Sequence, residues 1–422
     1  MKTHSIALLL IAPSLAAAQT SYDALLQRAL ESHPKVVAAR AIVQSARAGK
    51  SGLLAPFQPM LSLNGYAAGG DGSMIFASTV DPVNYAMLQH DGVAVGNLML
   101  MWKIWTGGRD STARGIGDAK IEAAEQMLES VRQGVALDLR TAYANYFYAQ
   151  GALGTAQEEA TSADETERVA KEMEDAGKAP KAFTLRASAA ARKSEQGVAV
   201  AESALAKAQA ALEEAAGGPI MDLGGLQENA FVPPKTLKEA LEQGSDRPEI
   251  GFLAAMARSE GLQATAVRRS LLPEVSLMAM GGPMAGSARQ TDTTAKFGVV
   301  FSVPVTDGGM RSAKIHQADA QKDAFLAQVD TVRLKVTREI ESAWSEWVAS
   351  AKITDSATAA LDSAEESFKV ERIRFESGKS ILAELLDAQT ALTRARLDVL
   401  DAARYRDTAL ARLENAVGAK VD

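Results

Sequence analysis

Gly107-Gly108 recurs as Gly308-Gly309, Ala142-Tyr143 with Tyr146 as Ala343-Trp344 with Trp347, Gly177-Lys178 as Gly378-Lys379, and Gly217 as Gly418, each pair 201 residues apart. Upstream the spacing changes. Pro34 matches Pro248, Pro59 matches Pro273 and Leu63 matches Leu277, all 214 residues apart, so the stretch from Leu63 to Gly107 is 13 residues longer in the first copy. A chain built twice from one unit cannot be divided by length into unrelated globular domains, because what one copy forms the other must form too.

Each copy opens with a helical stretch, Tyr22 to about Ala55 and Leu237 to about Leu271, and then meets a proline and an apolar segment. Alternation appears there. Phe297, Val299, Phe301, Val303 and Val305 fall on one face of 296–305, and Leu98, Leu100, Trp102 and Ile104 on one face of 97–104. Period two predicts half-buried strands. With partners at Met60 to Ala67 and Pro273 to Met280, the expectation is four strands in two hairpins. After each double glycine comes a helix of roughly 68 residues, Arg109 to Gly177 and Met310 to Gly378, about 100 Å long at 1.5 Å per residue. Shorter helices return from Pro180 to Gly217 and from Ser380 to Gly418. Leu385, Ala388, Leu392, Ala395, Val399 and Ala402 step as a coiled-coil seam, and Ala201, Ala204, Ala208 and Ala211 do the same in the first copy.

Lys2, the apolar run Ile6–Leu15 and Ala16-Ala17-Ala18 form the pattern of a secretory signal peptide. The expected organisation is a signal peptide over 1–18, a first repeat over 19–217, a connector over 218–236, a second repeat over 237–418 and a tail over 419–422. No other apolar run approaches the ~18–20 residues of a spanning helix, so any membrane crossing falls to the strands. The absence of cysteine excludes disulfides, thiolate sites and a lipidated N-terminal cysteine. The formal charge of −7 argues against a nucleic-acid partner. His33, His90 and His316 share no ligand spacing, so neither metal nor cofactor is expected. Met99, Met101, Met278 and Met280 alternate on strands and face either lipid or lumen, with space filling as the expected role. Trp344 and Trp347, like Tyr143 and Tyr146, read as helix packing.

Four strands cannot close a membrane barrel, and an open edge is not tolerated in lipid. Three chains would supply twelve. Trp102, Trp105, Tyr66 and Phe57 near strand ends suit interfacial girdles.

In order and spacing, several motifs together resemble the TolC family of outer-membrane efflux and secretion channels: Ala29-Leu30 through His33-Pro34, Leu271-Leu272-Pro273, Val303-Pro304-Val305 before Gly308-Gly309, and Phe375-Glu376-Ser377-Gly378 before Leu385-Leu386-Asp387-Ala388. The resemblance covers essentially all of the chain after the signal peptide. It implies an α+β fold: a long α-helical coiled-coil barrel plus four membrane strands per chain, forming a 12-stranded barrel in a homotrimer. It also implies docking onto a periplasmic adaptor and an inner-membrane transporter. The turns at Gly177-Lys178 and Gly378-Lys379-Ser380 would be the adaptor-docking tips. Two departures stand out. The family's polar latch positions carry Phe375, Ser380 and Phe183 here, and Lys103 replaces the proline seen at Pro304. A periplasmic coiled-coil adaptor is the rival reading. An adaptor, however, would carry one hairpin in a compact β-rich domain rather than two copies of strands followed by helices.

Glu384 and Asp387, three apart, share a helical face. As a catalytic pair they lack a cleft, and no nucleophile, base or metal set accompanies them, so no enzyme is expected. Around a threefold axis they become a ring of six carboxylates that favours cations, the expected periplasmic constriction. Across the 201-residue spacing they face Phe183 and Arg186, and Arg186 either pairs with the ring or is solvated.

Overall fold

The computed structural model describes residues 20–68, 74–77, 85–88, 93–220, 223–286 and 291–420; the expected signal peptide, His90 and the side chain of Tyr66 lie outside what is described. In order the chain forms α1 (Tyr22–Ser32), α2 (Pro34–Leu54), β1 (Met60–Ala68), β2 (Met74–Ala77), β3 (Tyr85–Leu88), β4 (Val93–Trp105), α3 (Arg109–Asp175) and α4 (Lys181–Ala215). It continues with α5 (Leu237–Gln243), α6 (Pro248–Arg269), β5 (Glu274–Gly286), β6 (Thr291–Ser302), α7 (Met310–Glu376) and α8 (Leu382–Ala416). Helices α3 and α7 are both 67 residues long, and α4 and α8 both 35. The opening helical stretch of each copy is two helices, not one. Pro34 and Pro248 each begin a helix, since proline biases its predecessor out of the helical region, and His33 is extended at φ −60°, ψ 133°.

Contacts divide the chain into two compact units. The first comprises the described residues of Arg40–Leu128 and Pro248–Val332 and contains a four-stranded antiparallel sheet in the order β1-β4-β5-β6. The two expected hairpins are therefore joined through β4 and β5. Two further short strands, β2 and β3, pair separately inside the longer stretch of the first copy, so the described strands number six rather than four. Strand β6 stops at Ser302, ahead of Pro304, and leaves Val303 and Val305 outside it, because proline has no N–H for the ladder. Strand β4 carries Lys103 at the matching position and runs on to Trp105 past a bulge. Lys103 Nζ lies 3.2 Å from Glu274, which Arg109 also engages. Pairing puts Leu61, Leu63, Leu98, Leu100, Trp102, Leu277, Phe297, Val299 and Phe301 on one face, with Phe297 93% and Leu63 79% exposed. Ser62, Asn64, Lys103, Ser276 and Lys296 lie on the other. Of the expected girdle, Trp102 and Trp105 are exposed and Phe57 is half-buried.

The second unit comprises the described residues of Met1–Ala39, Glu129–Arg247 and Arg333–Asp422. The α8 seam is buried at Leu385, Ala388, Leu392, Ala395 and Ala402. The matching α4 seam is not: Ala204 and Ala211 are exposed, and α4 buries Ala187, Ala191, Ser194 and Leu212 instead. The connector is pinned by a cluster that the sequence did not announce. Tyr143 is fully buried, its hydroxyl donating to Gly225 O at 3.0 Å and accepting from Gln227 N at 3.0 Å. Arg140, only 2% exposed, donates to Gln227 O at 2.7 Å and to Asp407, with its guanidinium 4.6 Å from the Tyr22 ring centre. Asn229 donates to Glu414 at 2.9 Å.

Burial pushes the Asp407 and Glu414 carboxyls above 3.8 and 4.5, while Arg140 pulls both back down. A carboxyl whose value is higher folded than unfolded costs stability as pH rises through that window. Arg140→Met removes the cation that offsets this cost. The variant is expected to lose roughly 3–5 kcal/mol near pH 8, and less as pH falls towards the ordinary carboxylate range. Thermal unfolding in detergent at several pH values checks this; a loss independent of pH would mean that Arg140 acts by packing alone.

Candidate functional site

The two long helices end alike. Gly177 and Gly378 adopt φ of +69°, a left-handed conformation open to glycine without penalty. Gly177 N donates to Glu174 O and Lys178 N to Met173 O, both at 2.8 Å; Gly378 N and Lys379 N donate to Phe375 O and Arg374 O at 2.9 and 2.8 Å. This doubly bonded termination satisfies the last carbonyls and turns the chain into the next helix. Gly177, Lys178, Gly378 and Lys379 are exposed, with Ile373, Ile381 and Leu185 exposed around them.

The two hairpins are held together just inside these turns by an apolar cluster. Phe375 is 3% exposed, and Ala170, Ala187, Leu382 and Leu385 are buried with it. Val169, Met173, Phe183, Phe368 and Leu386 pack around them, so α3, α4, α7 and α8 all contribute. Two positions read in the sequence only as missing a polar latch, Phe183 and Phe375, thus carry a different joint. The signal was the residue type itself, two phenylalanines at paired tips. Ser380, the third such position, is half-buried, with its hydroxyl 2.8 Å from Glu371 Oε2 and also in contact with Glu384. Arg374 reaches Glu371 Oε1 at 2.5 Å.

Glu384 sits in the first turn of α8, where a carboxylate favours the helix dipole, and Asp387 follows one turn later. Both are exposed, as is Arg186. Among the described residues neither Asp387 nor Arg186 forms a hydrogen bond or ion pair, so the structure does not bring Arg186 onto the acidic pair within one chain.

Residues 25–218 and 239–419 match the sequence pattern of the outer membrane efflux protein family. The chain belongs to that family. Among its relatives, CyaE of Bordetella pertussis is 27% identical over 347 residues, 78% of this chain and 72% of CyaE. A membrane protein of Pseudomonas aeruginosa superposes with a TM-score of 0.79 at 20% identity, over 94% of this chain and 93% of that one. The outer membrane protein VceC of Vibrio cholerae gives 0.77 at 17% identity, over 95% and 97%. The protein is thus an outer-membrane efflux channel, and the adaptor reading falls away. Among the described residues no helix is long and apolar enough to cross a membrane.

Phe375→Ala removes the largest buried side chain of the apolar joint, a change costing about 3–5 kcal/mol in a packed core. Trypsin is therefore expected to cut near Arg374 and Lys379 several-fold faster in Phe375→Ala than in the native protein, whereas Ile373→Ala, at an exposed neighbour, leaves the rate unchanged. Equal rates in all three proteins would show that the cluster does not hold the tip.

Proposed function

We propose that three copies of this chain form one conduit through the outer membrane and periplasm. Cargo would pass down it passively from an inner-membrane transporter, with a periplasmic adaptor docked at the Gly177-Lys178 and Gly378-Lys379-Ser380 turns. The observation that carries this reading is the sheet itself: β1 and β6 are edges, and the sheet bears an exposed apolar face. Unpaired backbone groups are not tolerated in hydrocarbon, so such a sheet needs copies beside it, and three supply the even-numbered, closed set that outer-membrane barrels require. The exposed Ala204 and Ala211 of α4 support the same reading, offering a small-residue face for close helix contact. Equal lengths of α3 with α7 and of α4 with α8 favour a twofold repeat within each chain.

In the trimer Glu384 and Asp387 line the periplasmic constriction. Carboxylates about 7 Å apart repel by roughly 0.6 kcal/mol in a water-like dielectric and about 2.4 kcal/mol at an effective dielectric near 20. Such a ring draws cations and resists anions. Replacing both residues, Glu384→Ala with Asp387→Ala, is expected to abolish most of the cation preference and to relieve block by divalent cations in single-channel recordings. Unchanged selectivity and unchanged block would place the constriction elsewhere, and light scattering of a detergent-solubilised monomer would remove the trimer.

A further inference from the structure

Strand register places the methionines of the sheet where alternation alone left two faces open. Met101 on β4 stands opposite Met60 on β1 and Met278 on β5, and Met99 stands opposite Met280. Paired residues share a face, and so do residues two apart along a strand. All five thioethers therefore lie with Ser62, Lys103 and Ser276, and none lies with Leu61, Trp102 and Phe297. Opposed side chains set their Cβ atoms about 4.5–5.5 Å apart, and successive same-face positions in a strand are about 7 Å apart. Met99, Met101, Met278 and Met280 are the corners of a block compact enough for their long side chains to bring three sulfurs to one atom, and Met60 extends the row.

Lipid packing does not account for this block, which occupies the face opposite the apolar band. Nor is it wholly withdrawn from solvent: Met280 is buried, but Met101 is 36% exposed. Serine, asparagine and lysine surround it on that face.

We propose that the block binds a soft monovalent cation of the Ag(I) or Cu(I) class on the channel wall. Thioether sulfur is a soft, uncharged donor that selects such ions over hard divalent ones. It offers soft ligation without the disulfide chemistry that a thiol invites outside the cytoplasm, and the chain has no cysteine. The nearest cation along β4, Lys103, is neutralised by Glu274 at 3.2 Å. The donors come from a single chain, so the site rests on the proposed trimer only for its lumenal address.

The test uses full-length protein labelled at the methionine methyls with carbon-13, in detergent micelles, titrated with silver nitrate in chloride-free buffer. Silver-free bilayer conductance of the same preparation reports on the conduit separately. The methyls of Met99, Met101, Met278 and Met280 are expected to shift together and to saturate at one silver ion per chain, while those of Met127, Met173 and Met310 stay in place. Met101→Leu with Met278→Leu, which keeps apolar volume, is expected to weaken silver binding by about tenfold or more and to leave conductance unchanged. Shifts without saturation, equal shifts at all exposed methionines, or undiminished binding in the leucine variant would overturn the site. Absent conductance in the silver-free native protein would overturn the conduit reading and leave the titration to judge the site.

Discussion

A backbone amide or carbonyl left without a partner in hydrocarbon costs several kcal/mol, and this sheet has one row of them along the outer edge of β1 and another along β6. Everything else about the chain can be ordered around those two rows. Side-chain chemistry cannot satisfy a whole strand edge, so the remedy must be more strand. The short β2–β3 pair does not serve, since it forms a sheet of its own. Under the proposed function, copies of the same chain supply that strand. That requirement fits the exposed apolar face of the four strands, and it fits the alanine face that α4 leaves open where α8 buries its own. In that reading the sheet with two free edges and the helix with an exposed alanine face belong to the same chain for the same reason.

At the far ends of the long helices the problem reverses, because there the chain must hold together without lipid. Related channels, by resemblance, use polar links at positions that carry Phe183, Phe375 and Ser380 here. The apolar cluster around Phe375 changes the character of the joint. Hydrophobic contacts are non-directional and little affected by salt, whereas exposed ion pairs are screened within about 8–10 Å at moderate ionic strength. Under the proposed docking, a tip held together by Phe375, Leu382 and Leu385 should yield to a partner that offers a competing apolar surface more readily than to a change in ions. Ile381, Ile373 and Leu185, exposed beside the turns, are side chains that such a partner would meet first. Ser380 sits between Glu371 and Glu384, so of the acidic pair only Asp387 stands apart from this polar contact.

Much of this was legible in the sequence, and the limits have physical causes. Glycine at a helix end writes its own structure, so both turns and the lengths of all four long helices could be read to within a few residues. Alternation gave the strands, but it cannot say which strand lies beside which. That is why the β4–β5 pairing, and with it the shared face of Met99, Met101, Met278 and Met280, came only from the fold. Prolines were under-read: Pro34 and Pro248 start helices, and with Pro304 ahead β6 ends at Ser302, three residues short of the end of the apolar pattern at Val305. Burial was the other blind spot. Nothing in the pattern around Tyr143 distinguishes a residue that packs a helix from one that anchors a connector through its hydroxyl, and nothing around Arg140 marks a cation destined for the interior.

At positions paired 201 residues apart in the sequence, the residue types differ, and the differences follow the neighbours each position meets. Tyr143 has Trp344 as its counterpart. The Tyr143 hydroxyl meets Gly225 O and Gln227 N in the segment after α4; Trp344 is half-buried and has no hydroxyl to offer. Lys103 stands against Pro304 for a similar reason. Strand β4 is central, pairs on both sides and gains an ion pair with Glu274, while β6 is an edge, where a proline just beyond the last residue sacrifices no ladder bond. The same logic applies to Glu384 and Asp387 against Phe183 and Arg186. If both halves had carried carboxylates, the tip would hold twice the negative charge. With an aromatic ring at Phe183 the first hairpin adds to the apolar cluster, while the second supplies Phe375, Leu382 and Leu385 to it and also carries the exposed carboxylates, so under the proposed function the joint and the charge can be altered separately.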